Sequence, residues 1–199
     1  PGEVVMTVRL AGICGTDLEL LGGYAGFAGV PGHELVGVVE APGLWHGCRV
    51  VPEITVACGT CRECLAGRQG HCLERRVIGV RGRHGAFAER LAVPESNLHR
   101  VPSTVPDEAA VFAEPLAAAL QVLEQVEVEP STLVVVVGDG RLGQLCARVL
   151  ALTGCRLRVL GRHESKLARL AALGIPTYPE RETEPIGAER MQLLIRHGI

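Results

Sequence analysis

The chain has 199 residues, 47% of them hydrophobic, and a formal net charge of −2. That size and apolar content suit a packed core in one or two domains and exclude a disordered chain. Both charge signs are scattered, so no basic field favours nucleic acid, and no run of about eighteen apolar residues marks a membrane span. No basic-then-apolar leader opens the sequence, so a cytoplasmic, reducing environment is expected. Clustered cysteines there serve metals more often than disulfides.

In chain order, "EVVMTVRL", "LVGVVE" and "RVVPEI" read as short strands separated by turns, and "GAFAERLAVP" as another strand ended by Pro94. Near residue 107 the character changes. "DEAAVFAEPLAAALQVLEQVEV" has helical spacing, with Pro115 in the first turn of a second helix. "STLVVVVGDGRLGQLCARVLALTGC" gives a strand buried on both faces, a glycine turn and a helix that stops at Gly154. "RLRVLG" is a further strand, "ESKLARLAALG" a helix ending at Gly174, and "IPTY" a short strand. Alternating strands and helices predict a parallel α/β sheet. The tail "PERETEPIGAERMQLLIRHGI" lacks the apolar strand ending in glycine that would begin a second nucleotide-binding half.

Cys58, Cys61, Cys64 and Cys72 lie in "CGTCRECLAGRQGHC". Thiolates this close can wrap round one tetrahedral zinc, with Gly59, Gly67 and Gly70 supplying unusual backbone angles. Spacing favours zinc over an iron–sulfur cluster or redox thiols. Four thiolates close the coordination shell, so this zinc is expected to shape a loop and do no chemistry.

A second set is dispersed: Cys14, Thr16 and Asp17 in "GICGTDLEL", His33 and Glu34 in "VPGHELVG", and Glu114 in "FAEPLAAAL". One thiolate, one imidazole and one carboxylate make the mixed, open site of a catalytic zinc. Singly, each has a plain structural reading: a small core thiol, a turn histidine, a carboxylate at a helix start, and Thr16 or Asp17 as an N-cap. "GDGRLG" places Gly138, Gly140 and Gly143, with Arg141 and Leu142 between them, after a strand and across a helix start. In that context the glycines read as a dinucleotide fingerprint, for a tight turn, approach of the pyrophosphate and close helix–strand packing.

These motifs, in this order, resemble the zinc-dependent medium-chain dehydrogenases (alcohol, sorbitol and threonine dehydrogenases) over nearly all of residues 1 to 178. The resemblance implies an α/β protein, with a β-rich GroES-like catalytic domain over 1–128 and an incomplete Rossmann domain over 129–199. It implies two zinc ions, one structural and one catalytic, the latter held by Cys14, His33 and either Glu34 or Glu114. Asp17 is then the residue that orients the histidine, and Thr16 the hydroxyl that starts a proton relay. The implied reaction is reversible hydride transfer between an alcohol or polyol and a nicotinamide cofactor. The partners are a small alcohol or carbonyl compound and, at full length, further copies in a dimer or tetramer. No nucleic acid or membrane is expected.

Three departures stand out. Gly161 stands where the family carries an aspartate, with Arg162 beside it, which favours NADP(H) over NAD(H). Glu19 replaces a relay histidine, and Cys48 a common aspartate, where it is expected as a buried thiol. With its first strand and second nucleotide half incomplete, the chain reads as a truncated protein, or as a non-catalytic remnant serving as a zinc-stabilised binding module.

Overall fold

The structure, a computed structural model, describes residues 2–181 and the backbone of 193–196. Two units emerge, Pro1–Glu114 and Pro115–Ile199. The division falls earlier than the sequence reading of 128/129, because Ala119, Val122 and Leu123 pack into the core of the second unit.

In the first unit, chain order gives β1 (Glu3–Gly12), α1 (Gly15–Leu21), β2 (Glu34–Val39), β3 (Arg49–Pro52), β4 (Thr55–Val56) and α2 (Arg62–Leu65). Then follow β5 (Arg76–Ile78), β6 (Gly82–Arg83), β7 (Arg90–Pro94), β8 (Leu98–Arg100) and α3 (Asp107–Ala110); α4 (Ala113–Gln125) begins at the unit's end and runs on into the second. Strand periodicity sets the core: Val4 and Met6 of β1 are buried, and Val5 between them is exposed. Antiparallel pairing gives the order β7-β1-β2-β3-β8, and a smaller sheet runs β4-β5-β6. Asp107 of α3 ties the sheet down through Arg9 at 2.8 Å and Arg49 at 3.1 Å.

The strand expected over "GAFAERLAVP" begins only at Arg90. The residues before it serve another purpose: the amides of Gly85, Ala86 and Phe87 donate to the carbonyls of Val30, Gly32 and Pro31. Cys48 also differs from expectation. It is half-buried, and its sulfur accepts from Arg100 Nη1 at 2.7 Å, whose guanidinium lies 5.0 Å from the Trp45 ring centre.

The second unit contains β9 (Leu133–Val137), α5 (Arg141–Ala151), β10 (Arg156–Gly161), α6 (Glu164–Ala171), β11 (Thr177–Pro179) and β12 (Leu193–Arg196). Among the described residues its strand pairs are all parallel, in the order β11-β10-β9-β12. Leu133 to Val136 are all buried, as a central strand covered on both faces requires. Ala147 and Leu150 of α5 and Leu170 of α6 are fully buried in its core. The tail was expected to hold no such strand, yet Leu193–Arg196 pairs with Val134–Val137. A three-residue apolar run carries too little periodicity to be read alone, and the unpaired flank of β9 supplies its partner. The rest of the tail, 182–192 and 197–199, lies outside the described residues. Among the described residues no helix is long and apolar enough to cross a membrane.

Candidate functional site

Two clusters in the first unit have the composition of metal sites, each with its ligand atoms within 4.8 Å of one another: Cys58–Cys61–Cys64–Cys72 and Cys14–His33–Glu34.

The cysteine cluster is built by one loop. Cys61 caps α2, Cys64 sits within it, and Cys58 and Cys72 flank it. All four are free thiols. The sulfurs of Cys61 and Cys64 lie 3.4 Å apart, and those of Cys58 and Cys64 3.9 Å apart. A tetrahedron with metal–sulfur arms of about 2.3 Å has edges of about 3.8 Å, so the donor set fits zinc. Bonds from Thr60 and Cys61 pull the Cys58 thiol down to about 6, and burial pushes Cys64 up to about 12. A cation bound among the four sulfurs would take the place of the thiol protons.

The mixed cluster draws on three elements. Cys14 directly precedes α1, His33 ends the loop before β2, and Glu34 opens β2. The register of β1 on β2 sets Gly12 opposite Glu34. A side chain at Gly12 would run into the Glu34 carboxylate, so the glycine makes room for a buried acid. Composition and spacing gave no hint of that role.

Asp17 is 1% exposed and braces the whole cluster. Its Oδ2 accepts from the Cys14 amide at 2.8 Å and its Oδ1 from the Gly32 amide at 3.0 Å. Asp17 thus sits inside α1 and reaches back to its start, instead of capping the helix itself. Its Oδ1 also lies 3.3 Å from His33 Nδ1, but without hydrogen-bond geometry. His33 Nδ1 is the buried side-chain polar atom left without a partner among the described residues. Such an orphan costs roughly 1–3 kcal/mol, a cost that fits a site whose imidazole is arranged for a ligand. The residues therefore fit a metal of mixed sulfur, nitrogen and oxygen coordination.

Thr16 lies on the first turn of α1, its hydroxyl 3.9 Å from the Cys14 sulfur, and Glu19 is exposed further along. Glu114, in the first turn of α4, stands outside the three-residue cluster. Burial raises its pKa, with Glu34 and Asp17 adding to the rise and His33 opposing it.

The approach of His33 depends on Gly32, whose φ of 99° is left-handed. A Cβ there would meet the Phe87 ring at 2.7 Å. Gly32→Ala is expected to cost about 1–3 kcal/mol and to weaken metal retention at Cys14–His33–Glu34, read by thermal melting and metal analysis. An alanine variant with unchanged melting and metal content contradicts this account of the loop.

In the second unit the fingerprint glycines lie between β9 and α5. Gly138 has φ 122°, and its amide donates to Leu160 O at 2.8 Å. Gly140 has open space where a side chain would be, and a side chain at Gly143 would strike the Gly138 carbonyl. Arg141 and Leu142 open α5. Gly161 ends β10, and Arg162 beside it lies 3.6 Å from Glu180, both side chains exposed. The sequence reading missed Asp139 and His163, which join the ends of β9 and β10: the His163 amide donates to Asp139 Oδ2 at 2.6 Å. No local spacing signals a contact between residues so far apart in the chain.

A β-rich unit with a four-thiol cluster and a Cys–His–Glu cluster is thus followed by a parallel sheet with a glycine-rich turn. The family model for the alcohol dehydrogenase GroES-like domain matches residues 1–103. The chain belongs to that family, within the zinc-dependent medium-chain dehydrogenases. It is 34% identical to the glucose 1-dehydrogenase of Metallosphaera sedula, over 92% of this chain and 60% of that protein. The alcohol dehydrogenase RspB of Escherichia coli CFT073, solved with NADH, superposes with a TM-score of 0.90 at 29% identity, covering 100% of this chain and 62% of that one. A zinc-binding dehydrogenase of Sinorhizobium meliloti 1021 bound to NADP gives 0.87 at 28% identity, covering 98% and 63%. The chain thus spans about 60% of the length of these relatives.

Proposed function

We propose that this chain carries the active centre of a zinc-dependent dehydrogenase that transfers hydride reversibly between a small alcohol or polyol and a nicotinamide cofactor. The observation that supports it most is the meeting of Cys14, His33 and Glu34 above a fully buried Asp17. Zinc held there supplies the Lewis acidity that eases loss of the substrate hydroxyl proton. Cys14, His33 and Glu34 are its ligands, and Cys58, Cys61, Cys64 and Cys72 hold a second, structural zinc. Glu34 is preferred to Glu114 as the third ligand because its carboxylate lies within the cluster. Asp17 orients His33, as the carboxylate partner of a metal-ligating imidazole does. The Thr16 hydroxyl, beside the Cys14 sulfur, takes up the released proton and passes it outward.

The glycine turn from Gly138 to Gly143, with Arg141 and Leu142, receives the pyrophosphate at the start of α5. NADP(H) is preferred, because Gly161 offers no acid to the ribose and Arg162 offers a cation. Assembly as a dimer or tetramer belongs to the same reading, and sedimentation equilibrium measures it. Assays of alcohols and polyols on the zinc-loaded protein are expected to give kcat/KM at least about tenfold higher with NADP than with NAD. A preference for NAD contradicts the role given to Arg162, and absence of turnover with both cofactors contradicts the activity.

A further inference from the structure

We propose that His163 reads the 2′ position of the cofactor's adenine ribose, held in place by Asp139. The inference rests on the dinucleotide reading above and deepens it. In a parallel nucleotide-binding sheet the 2′ position is met at the end of the second strand, by an acid for a hydroxyl or a cation for a phosphate. Here that strand is β10, ending at Gly161.

Gly161 has no room for the acid. A Cβ there would lie 2.7 Å from the Asp139 Cβ, 2.7 Å from its Oδ2 and 2.7 Å from Leu167 Cδ2. Asp139, from the glycine turn, already fills the space, yet it does not present its carboxylate to a ribose. It is 6% exposed, and its oxygens accept from the His163 amide at 2.6 Å and face His163 Nδ1 at 3.0 and 3.1 Å. The carboxylate has moved from the strand end into the turn, where it serves as a mount.

What it mounts is an imidazole of defined polarity. An ionised carboxylate only accepts, so the Nδ1 facing it carries the proton. Nε2 is then the nitrogen left for a ligand, on a side chain 53% exposed. A neutral ring offers Nε2 as an acceptor for a 2′-hydroxyl, and a protonated ring offers an N–H to a 2′-phosphate. Other charged groups on the adjoining elements are Arg141 and Arg148 of α5, Arg156 and Arg158 of β10, Arg162 and Glu180, which pair with each other, Glu164, Lys166 and Arg169 of α6, and Arg181 after β11. His163 itself pairs with Asp139.

The test is calorimetric titration of the zinc-loaded protein with adenosine 2′,5′-bisphosphate and with 5′-AMP. Neither probe needs turnover or nicotinamide. The wild type is expected to prefer the bisphosphate. His163→Asn is expected to lose about tenfold of that margin, with 5′-AMP affinity intact as the control for folding. His163→Arg restores the margin, and Asp139→Asn, which loosens the mount of the ring, narrows it. A margin in His163→Asn equal to that of the wild type overturns the proposal and leaves the dinucleotide site standing. Failure of the wild type to bind either nucleotide overturns that site and this proposal together.

Discussion

Replacing Cys14 with alanine is expected to lower turnover by about a thousandfold or more, since a catalytic metal supplies several kcal/mol of transition-state stabilisation. The change removes one donor from the Cys14–His33–Glu34 cluster and little else. Cys14 is half-buried, and the contact that anchors the start of α1 is its backbone amide on Asp17, which alanine retains. Thermal melting should therefore stay close to wild type, while metal analysis finds one zinc fewer per chain. His33→Ala should match it in activity. Wild-type turnover in either variant contradicts the assignment of the open site.

The second large effect is the reverse in kind. Cys64→Ser breaks the closed cluster, and its expected consequence is a melting temperature lower by about 10 °C, on the order of 3 kcal/mol in a chain of this size. Cys64 and Cys72 are both buried, so the loop loses its metal and the packing organised around it. Acid should act on the same loop. The Cys58 thiol is depressed to about 6 from an ordinary 9.0, so its contribution is complete above about pH 9 and lost as pH falls through about 6. A bound cation competes with the proton, so metal release on acidification should begin below that value. A Cys64→Ser protein that melts with the wild type contradicts a structural role for the cluster.

The two sites were unequally legible in the sequence. The thiolate loop and the glycine turn are local: a short stretch of chain contains every group, so spacing alone carries the geometry. Cys14, His33 and Glu34 come from separate elements, and nothing in their spacing shows that β1 and β2 pair with Gly12 opposite Glu34. The residue types suggested that set and resemblance gave it roles, leaving Glu34 and Glu114 as alternatives, of which Glu34 lies within the compact cluster. The parallel sheet followed from the "LVVVV" run and the alternating helices, whereas β12 did not, because its run is short and its partner remote. The Asp139–His163 contact was invisible for the same reason. Gly161 reads in sequence as a missing acid, and only the fold shows that Asp139 of the neighbouring turn fills the space a side chain there would need.

The central claim is that the chain holds one closed metal site and one open one. Replacing the zinc with cobalt and titrating with imidazole, a small ligand for any free coordination position, tests it most directly. Two cobalt ions per chain are expected, and imidazole should shift only the absorption bands that Cys14→Ala abolishes, leaving those that Cys64→Ser abolishes unchanged. A response from the tetrathiolate bands, or none from the Cys14 site, would contradict it.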